Sequence, residues 1–421
     1  MKTNHALDSQ WHERTRWNLA VLVLTCAFMC LFATGPAQAE NARTFTEWTI
    51  PTANSEPLLV LPVSDDTVYF TERVAGKIGK LNLHGNTITE WTLPQTIAGF
   101  ADAYPHDLIQ IGKRIFFCEQ RNFFPSTGAI GALNPATGQL TEWQIASTVF
   151  PVPEHLLQSG QFVYFTESYS DRIGRLNSNT NALREWALPF GPGVFNLNGL
   201  VADEKAGDLW FVEVIANRIA RLHVATNTLT EWQLPIVVAA LNHAYVSGQY
   251  VYFSDGLGNT IFRLNPATNV IRVWTDPTTA PAKIGGLSIA GSGGERGEHF
   301  FNANKPVRIY FGENAGNNIG AFTTTRASSS DYLVLPVSTP ITPVDGTSVV
   351  VTSTAPKTVT LVVPVTTAVP RVRIGAFTFW PIPTANAGFG EFTSFEDGGL
   401  FFTERTGNKV ALFTKSETDD D

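Results

Sequence analysis

Charge is scarce in this chain. Asp, Glu, Lys and Arg make up 16% of its 421 residues, the formal balance is −8, and the basic residues form no cluster. A mildly acidic chain without a Lys/Arg patch argues against nucleic acid or an anionic membrane as partner. Cysteine is scarcer still. Of three, Cys26 and Cys30 fall in an apolar N-terminal run, which leaves Cys118 alone and no intrachain disulfide even in an oxidising compartment. Helical periodicity is missing after that run. So are Gly-x-Ser-x-Gly, His-Glu-x-x-His and a phosphate loop, which removes the enzyme classes those motifs serve.

The apolar run, Leu19 to Phe32, follows Lys2, Arg14 and Arg16 and precedes Ala37-Gln38-Ala39. That order reads as a signal peptide over residues 1–39, cleaved after Ala39. An uncleaved anchor is the alternative, although the run is short for a membrane span. The expected product is a monomer of residues 40–421, secreted or held in the periplasm or cell envelope, with no membrane span after cleavage. Cys118 is expected to be a plain buried thiol.

What the chain has in quantity is a repeat. Thr46-Glu47-Trp48-Thr49-Ile50-Pro51 returns as Thr89 to Pro94, at Trp143, and at Trp186, Trp232, Trp274 and Trp380, the last four each with Pro three residues on. A faded copy has Leu333 and Pro336 in those places, giving eight copies spaced 42 to 59 residues apart. Between copies lie short runs such as Val68-Tyr69-Phe70-Thr71-Glu72 and Lys77-Ile78-Gly79-Lys80-Leu81, β-branched and aromatic, bounded by Gly, Asn and Ser. These are strands. Four per repeat at this period describe an all-β propeller.

Eight repeats predict eight four-stranded blades, with residues 331–376 as a degenerate one. Seven blades with that stretch as an appendage is the alternative. The strand at residues 45–50 has no blade before it, so it is expected to complete the C-terminal blade and close the ring. Residues 415–421 form an acidic tail. The Glu ending the middle strand recurs five residues before a base, as in Glu72 and Lys77, Glu167 and Arg172, Glu213 and Arg218, and Glu404 and Lys409. A cross-strand ion pair is expected there.

Function belongs where the repeats differ. The start of each first strand opens at the channel mouth, and aligning the blades there gives Pro105-His106-Asp107-Leu108, Pro153-Glu154-His155-Leu156, Leu197-Asn198-Gly199-Leu200, Asn242-His243-Ala244-Tyr245 and Ile284-Gly285-Gly286-Leu287. His106, His155 and His243 fall in one column, with Asp107, Glu154, Asn198 and Asn242 around them. Such a ring suits a ligand or a metal, but a wet channel would also hold polar residues. Phe123-Phe124 in a longer loop reads either as a contact surface or as packing on its own blade.

The pattern Phe-Thr-Glu…Ile-Gly-x-Leu…Thr-Glu-Trp-x-Leu-Pro, over residues 45–414, resembles the virginiamycin B lyase (streptogramin lyase) family of propellers. The resemblance implies seven blades. It also implies elimination at an ester of a cyclic depsipeptide antibiotic, with Mg²⁺ and a His base at the channel mouth. On that likeness His243-Ala244-Tyr245 matches the context of the first catalytic His, and Glu313 matches a metal-binding Glu. The stretch Lys283-Ile284-Gly285-Gly286 stands where the family has Glu-Pro-His-Gly, so Lys replaces a metal ligand and Gly the second His. A Lys there repels Mg²⁺.

Two functions are therefore expected. The first is an extracytoplasmic propeller binding a small molecule or peptide at the channel mouth. The second is a lyase or metal-dependent hydrolase using His106, His155 and His243, whose free imidazoles would protonate below about pH 6.5.

Overall fold

The computed structural model describes residues 43–94, 103–121, 128–145, 151–189, 196–203, 207–236, 240–278, 284–289, 307–394 and 399–415. The expected signal peptide, the acidic tail beyond residue 415, Lys283 and Phe123-Phe124 lie outside them. No helix among the described residues is long and apolar enough to cross a membrane.

Residues 43–415 build seven antiparallel sheets. In the first five blades, four consecutive strands run outward from the channel, over residues 57–92, 103–144, 153–187, 197–233 and 241–275. The sixth blade takes three strands from residues 284–323 and its fourth, Phe377–Pro381, from after a long excursion. The seventh takes three strands from residues 389–415 and its fourth from the N-terminal strand, Arg43–Thr49. The ring thus closes as the repeat predicted, by pairing the first strand of the chain with the last.

Seven buried apolar clusters hold the ring, each shared by two neighbouring blades. The seven Trp of the repeat sit in them, at 0 to 4% exposure. In six blades the Phe of the middle strand has Gly or Ala beside it on the third strand; in the fifth, Phe262 stacks on Phe253 instead. A Cβ on Gly79 would stand 2.1 Å from the Phe70 ring.

The count of eight is corrected to seven, because the faded copy at Leu333 is no blade. Residues 330–374 form a belt of seven short strands, and each adds a fifth strand to one blade. Ser330–Leu333 joins the fifth blade, Val337–Pro340 the fourth, Pro343–Thr347 the third, Val349–Thr354 the second and Lys357–Leu361 the first. Val365–Val369 then pairs with Arg43–Thr49, and Val372–Ile374 reaches the sixth blade, from which the chain had left. The belt circles the ring once, against the order of the chain. Its composition misleads because these strands have little to bury: Leu361 is 73% and Leu333 71% exposed.

The belt has a repeat of its own. The amides of Val334, Ile341, Ser348, Ala355 and Val362, seven residues apart, donate to the carbonyls of Asn269, Asn227, Asn181, Gly138 and Asn86 at 2.8 to 3.0 Å. Those acceptors lie in the hairpins between third and fourth strands, in the left-handed conformation that Asn and Gly tolerate. The Asn side chains face the ring. Trp48, Trp143, Trp186 and Trp232 donate Nε1–H to Asn86, Asn181, Asn227 and Asn269 of the next blade. The same place in the second blade is Gly138, and Trp91 Nε1 has no partner. Gly138→Asn is expected to raise stability by about 1 kcal/mol, the worth of one buried hydrogen bond, read as a higher denaturation midpoint at unchanged m-value.

Of the expected ion pairs one forms, Arg218 Nε lying 3.5 Å from Glu213, and the other three are corrected. Glu72 does oppose Lys77 in register, as do Glu167 and Arg172, Glu213 and Arg218, and Glu404 and Lys409. In all four blades the base reaches a second Glu on the fourth strand, and Arg218 holds both. Lys77 Nζ is 3.7 Å from Glu90, Arg172 3.9 Å from Glu185, Arg218 2.5 Å from Glu231 and Lys409 3.3 Å from Glu47. Two buried carboxyls share one cation, so one keeps its proton. Burial, with the neighbouring Glu adding to it, pushes Glu72 and Glu213 up to about 9 and Glu404 to about 8. Glu167 rises for the same reasons.

Candidate functional site

The variable column of the sequence coincides with a β-bulge in every blade. Each first strand slips against the second between Pro57 and Val60, Pro105 and Leu108, Pro153 and Leu156, Asn198 and Leu200, Asn242 and Ala244, Ile284 and Leu287, and Phe389 and Phe392. The residues inside the slip are unpaired in the ladder. They include His106-Asp107, Glu154-His155, His243 and Gly390-Glu391. A hydroxyl or thiol on the middle strand staples the bulge. Thr71 Oγ1 accepts from Leu59 N and donates to His106 O, and Thr166 Oγ1 accepts from His155 N. Cys118 does this with sulfur, accepting from Asp107 N at 3.2 Å and donating to Glu154 O at 3.3 Å. It is buried, and burial raises its thiol well above the usual range, so it is inert.

The bulges open on a cavity of about 600 Å³ to which all seven blades contribute. His106, Glu154, His155, Asn198 and Asn242 line it, and Asp107 stands directly behind. His243 lies in the bulge that follows Asn242. Glu313 is placed elsewhere. It is 1% exposed inside its blade, where Asn318 Nδ2 donates to it at 2.6 Å, and its neighbours Asn314 and Ala315 reach the cavity instead. The sequence reading passed over Glu56, Leu58, Glu391 and Arg405, which also line the mouth. Their signal was there. Glu391 occupies the seventh blade's bulge, and Arg405 follows the Glu that ends a middle strand, the place of Asn314 in the sixth.

Three consecutive blades clamp His155. Its Nε2 donates to Asn198 Oδ1 at 2.5 Å, and its Nδ1 faces Asp107 Oδ2 at 3.6 Å. Asp107 is fixed in turn, accepting from the amides of Leu108 at 2.6 Å and Leu156 of the next blade at 2.8 Å. Burial alone would lower the imidazole, but the bond to Asp107 and the charges of Glu391, Asp107 and Glu154 outweigh it and raise His155 to about 9. His155 is therefore a fixed cation at neutral pH. His106 differs. Burial, only partly offset by Glu154, lowers it to about 4. Its Nδ1 donates to the Glu154 carbonyl at 2.9 Å, so Nε2 carries the lone pair, 3.6 Å from Glu154 Oε1. The two rings stand edge to face, 5.8 Å between centres.

Neighbouring imidazoles with titrations driven apart set a free base, His106, beside a fixed positive charge, His155. The donor set fits a metal poorly: among the described residues no three His, Cys, Asp or Glu side chains are gathered for one. Arg405 Nη2 binds Glu56 at 3.1 Å, and Arg73 Nη1 binds its other oxygen at 3.0 Å, so the mouth carries fixed charge of both signs.

No protein-family model and no curated protein matches the chain. Solved structures do. A streptogramin B lyase superposes with a TM-score of 0.62 at 21% identity, over 89% of this chain and 98% of that one. Virginiamycin B lyase from Staphylococcus aureus, selenomethionine-substituted, gives 0.62 at 20% identity, over 88% and 99%. A catalytically inactive histidine-to-alanine variant of that enzyme with quinupristin gives 0.62 at 18%, over 88% and 99%. The fold of this chain is thus a seven-bladed propeller like that of virginiamycin B lyase.

Proposed function

We propose that this propeller binds a small molecule or peptide in the mouth of its channel, outside the cytoplasm. One observation carries the reading. Bulged strands bring groups of fixed protonation and orientation into one cavity large enough for a ligand. A channel filled only for want of anything better would not need His155 locked by two other blades. The apolar leader expected at residues 1–39 supports the location. The test is a thermal-shift screen of the whole protein against cyclic and linear peptides, lactones and amines. A hit should raise the melting temperature of the wild type and not of His106→Ala, whose own melting temperature should stay close to wild type. Hits that persist undiminished in His106→Ala would move the site elsewhere.

The opposed states of His106 and His155 favour a second reading, base-promoted elimination on a cyclic ester. Here His106 Nε2 is the base. His155, already protonated and with Nε2–H given to Asn198, acts only through its charge. Mg²⁺, implied by the resemblance, finds no fitting set among the described residues, so no step is assigned to it. Linearisation of quinupristin by the unmodified protein, followed by mass spectrometry, would establish this reading. Activity should then persist well below pH 6.5, since His106 stays neutral down to about pH 4, and a loss centred on pH 6.5 would exclude His106 as the base.

A further inference from the structure

We propose that the ligand is read by a protonated amine, held between His106 and Glu154; the inference rests on the mouth being a ligand site. His106 Nε2 and Glu154 Oε1 lie 3.6 Å apart. Nε2 is a lone pair because Nδ1–H is committed to the Glu154 carbonyl. Two acceptors cannot satisfy one another, and a partly buried acceptor without a donor is costly. Whatever enters between them must donate twice. An ammonium has three N–H donors, no acceptor and a charge that meets the carboxylate, whereas a hydroxyl has one donor.

The surroundings suit that cation. Ser168 Oγ sits against both Glu154 Oε2 and the carbonyl of Leu197, and its single hydroxyl hydrogen, given to Glu154, orients the carboxylate with Oε1 toward His106. Both side chains that Glu154 touches, Ser168 and His106, are uncharged. Glu56 is held by Arg73 and Arg405, and His155 faces Asp107. Leu58, Leu257 and Phe389 line the same cavity and offer apolar wall to the stem that bears the amine.

Calorimetric titration of the full chain at pH 7 with n-hexylamine, 1-hexanol and MgCl₂ tests this. The amine is expected to bind at least about tenfold more tightly than the alcohol, the worth of a charge-assisted hydrogen bond. Glu154→Gln should lose that margin and leave the alcohol unchanged, with a melting temperature near wild type to show that the variant folds. Should that variant fail to fold, His106→Phe, which removes the other acceptor, is expected to narrow the margin likewise. Equal binding of amine and alcohol would overturn the amine while sparing the mouth as a ligand site. Amine affinity untouched in the folded variants, or displacement of the amine by Mg²⁺ at lower concentration, would overturn it as well. Binding of neither organic probe would count against the amine and against the site.

Discussion

Deleting residues 43–49 is expected to leave no cooperatively folded protein. That strand pairs on one side with Lys409–Lys415 and on the other with Val365–Val369 of the belt, over registers of seven and five residues. Phe45 is fully buried and Trp48 nearly so. Each is worth roughly 3–5 kcal/mol as a large-to-small loss, against a total stability of about 5–15 kcal/mol for a typical protein. The deletion removes both, opens the edge of the seventh blade and strips the belt of a partner. Trp48→Ala alone should cost roughly 3–5 kcal/mol. Circular dichroism melts and gel filtration read both. A truncated protein melting at the wild-type temperature would refute the closure by pairing of first strand with last.

The second large effect is a loss of stability in alkali. In the unfolded chain Glu72, Glu213 and Glu404 titrate near 4.5; in the ring they hold their protons to about 9, 9 and 8. Between those limits the native state binds more protons than the unfolded state, so the free energy of unfolding falls as pH rises. Each group that ionises late takes away roughly 1.4 kcal/mol per pH unit at most. His155 acts in the same direction over a narrower window: its extra stability is whole below about pH 6.5 and disappears through pH 9. His106 and Glu47, both lowered, cost stability on the acid side instead. The melting temperature should peak in mild acid and drop by several degrees or more by pH 9. The double variant Glu72→Gln, Glu213→Gln should flatten the alkaline limb. A melting temperature that climbs from pH 5 to 9 would mean these carboxyls are ionised in the native state.

The blades were legible because each must bury the same Trp and the same middle strand with its Phe. That requirement stamps a period of about forty residues on the sequence. The belt answers a different demand. It needs one amide every seven residues to meet one hairpin carbonyl, and amides leave no mark in side-chain pattern. Only the seven-residue spacing of Val334, Ile341, Ser348, Ala355 and Val362 betrays it. Hence Val372-Arg373-Ile374, which imitates a third strand, is the last piece of belt. At the mouth, the alignment of blade starts picked out His106, Glu154, His155, Asn198 and Asn242 correctly as neighbours. It could not tell two similar histidines apart. What separates His106 from His155 is which side chains the adjoining blades turn toward each ring, and those are 43 to 48 residues away in sequence.

The belt also changes how the ring bears load. A propeller held only by side-chain packing between blades can open at whichever interface is weakest, as staves part when nothing binds them. Here a continuous covalent strand runs around the perimeter, hydrogen-bonded to every stave in turn. An outward pull on one blade becomes tension along that hoop and is passed to the other six. It crosses the seam where the two ends of the propeller chain meet, so the junction most exposed to fraying is bridged by peptide bonds.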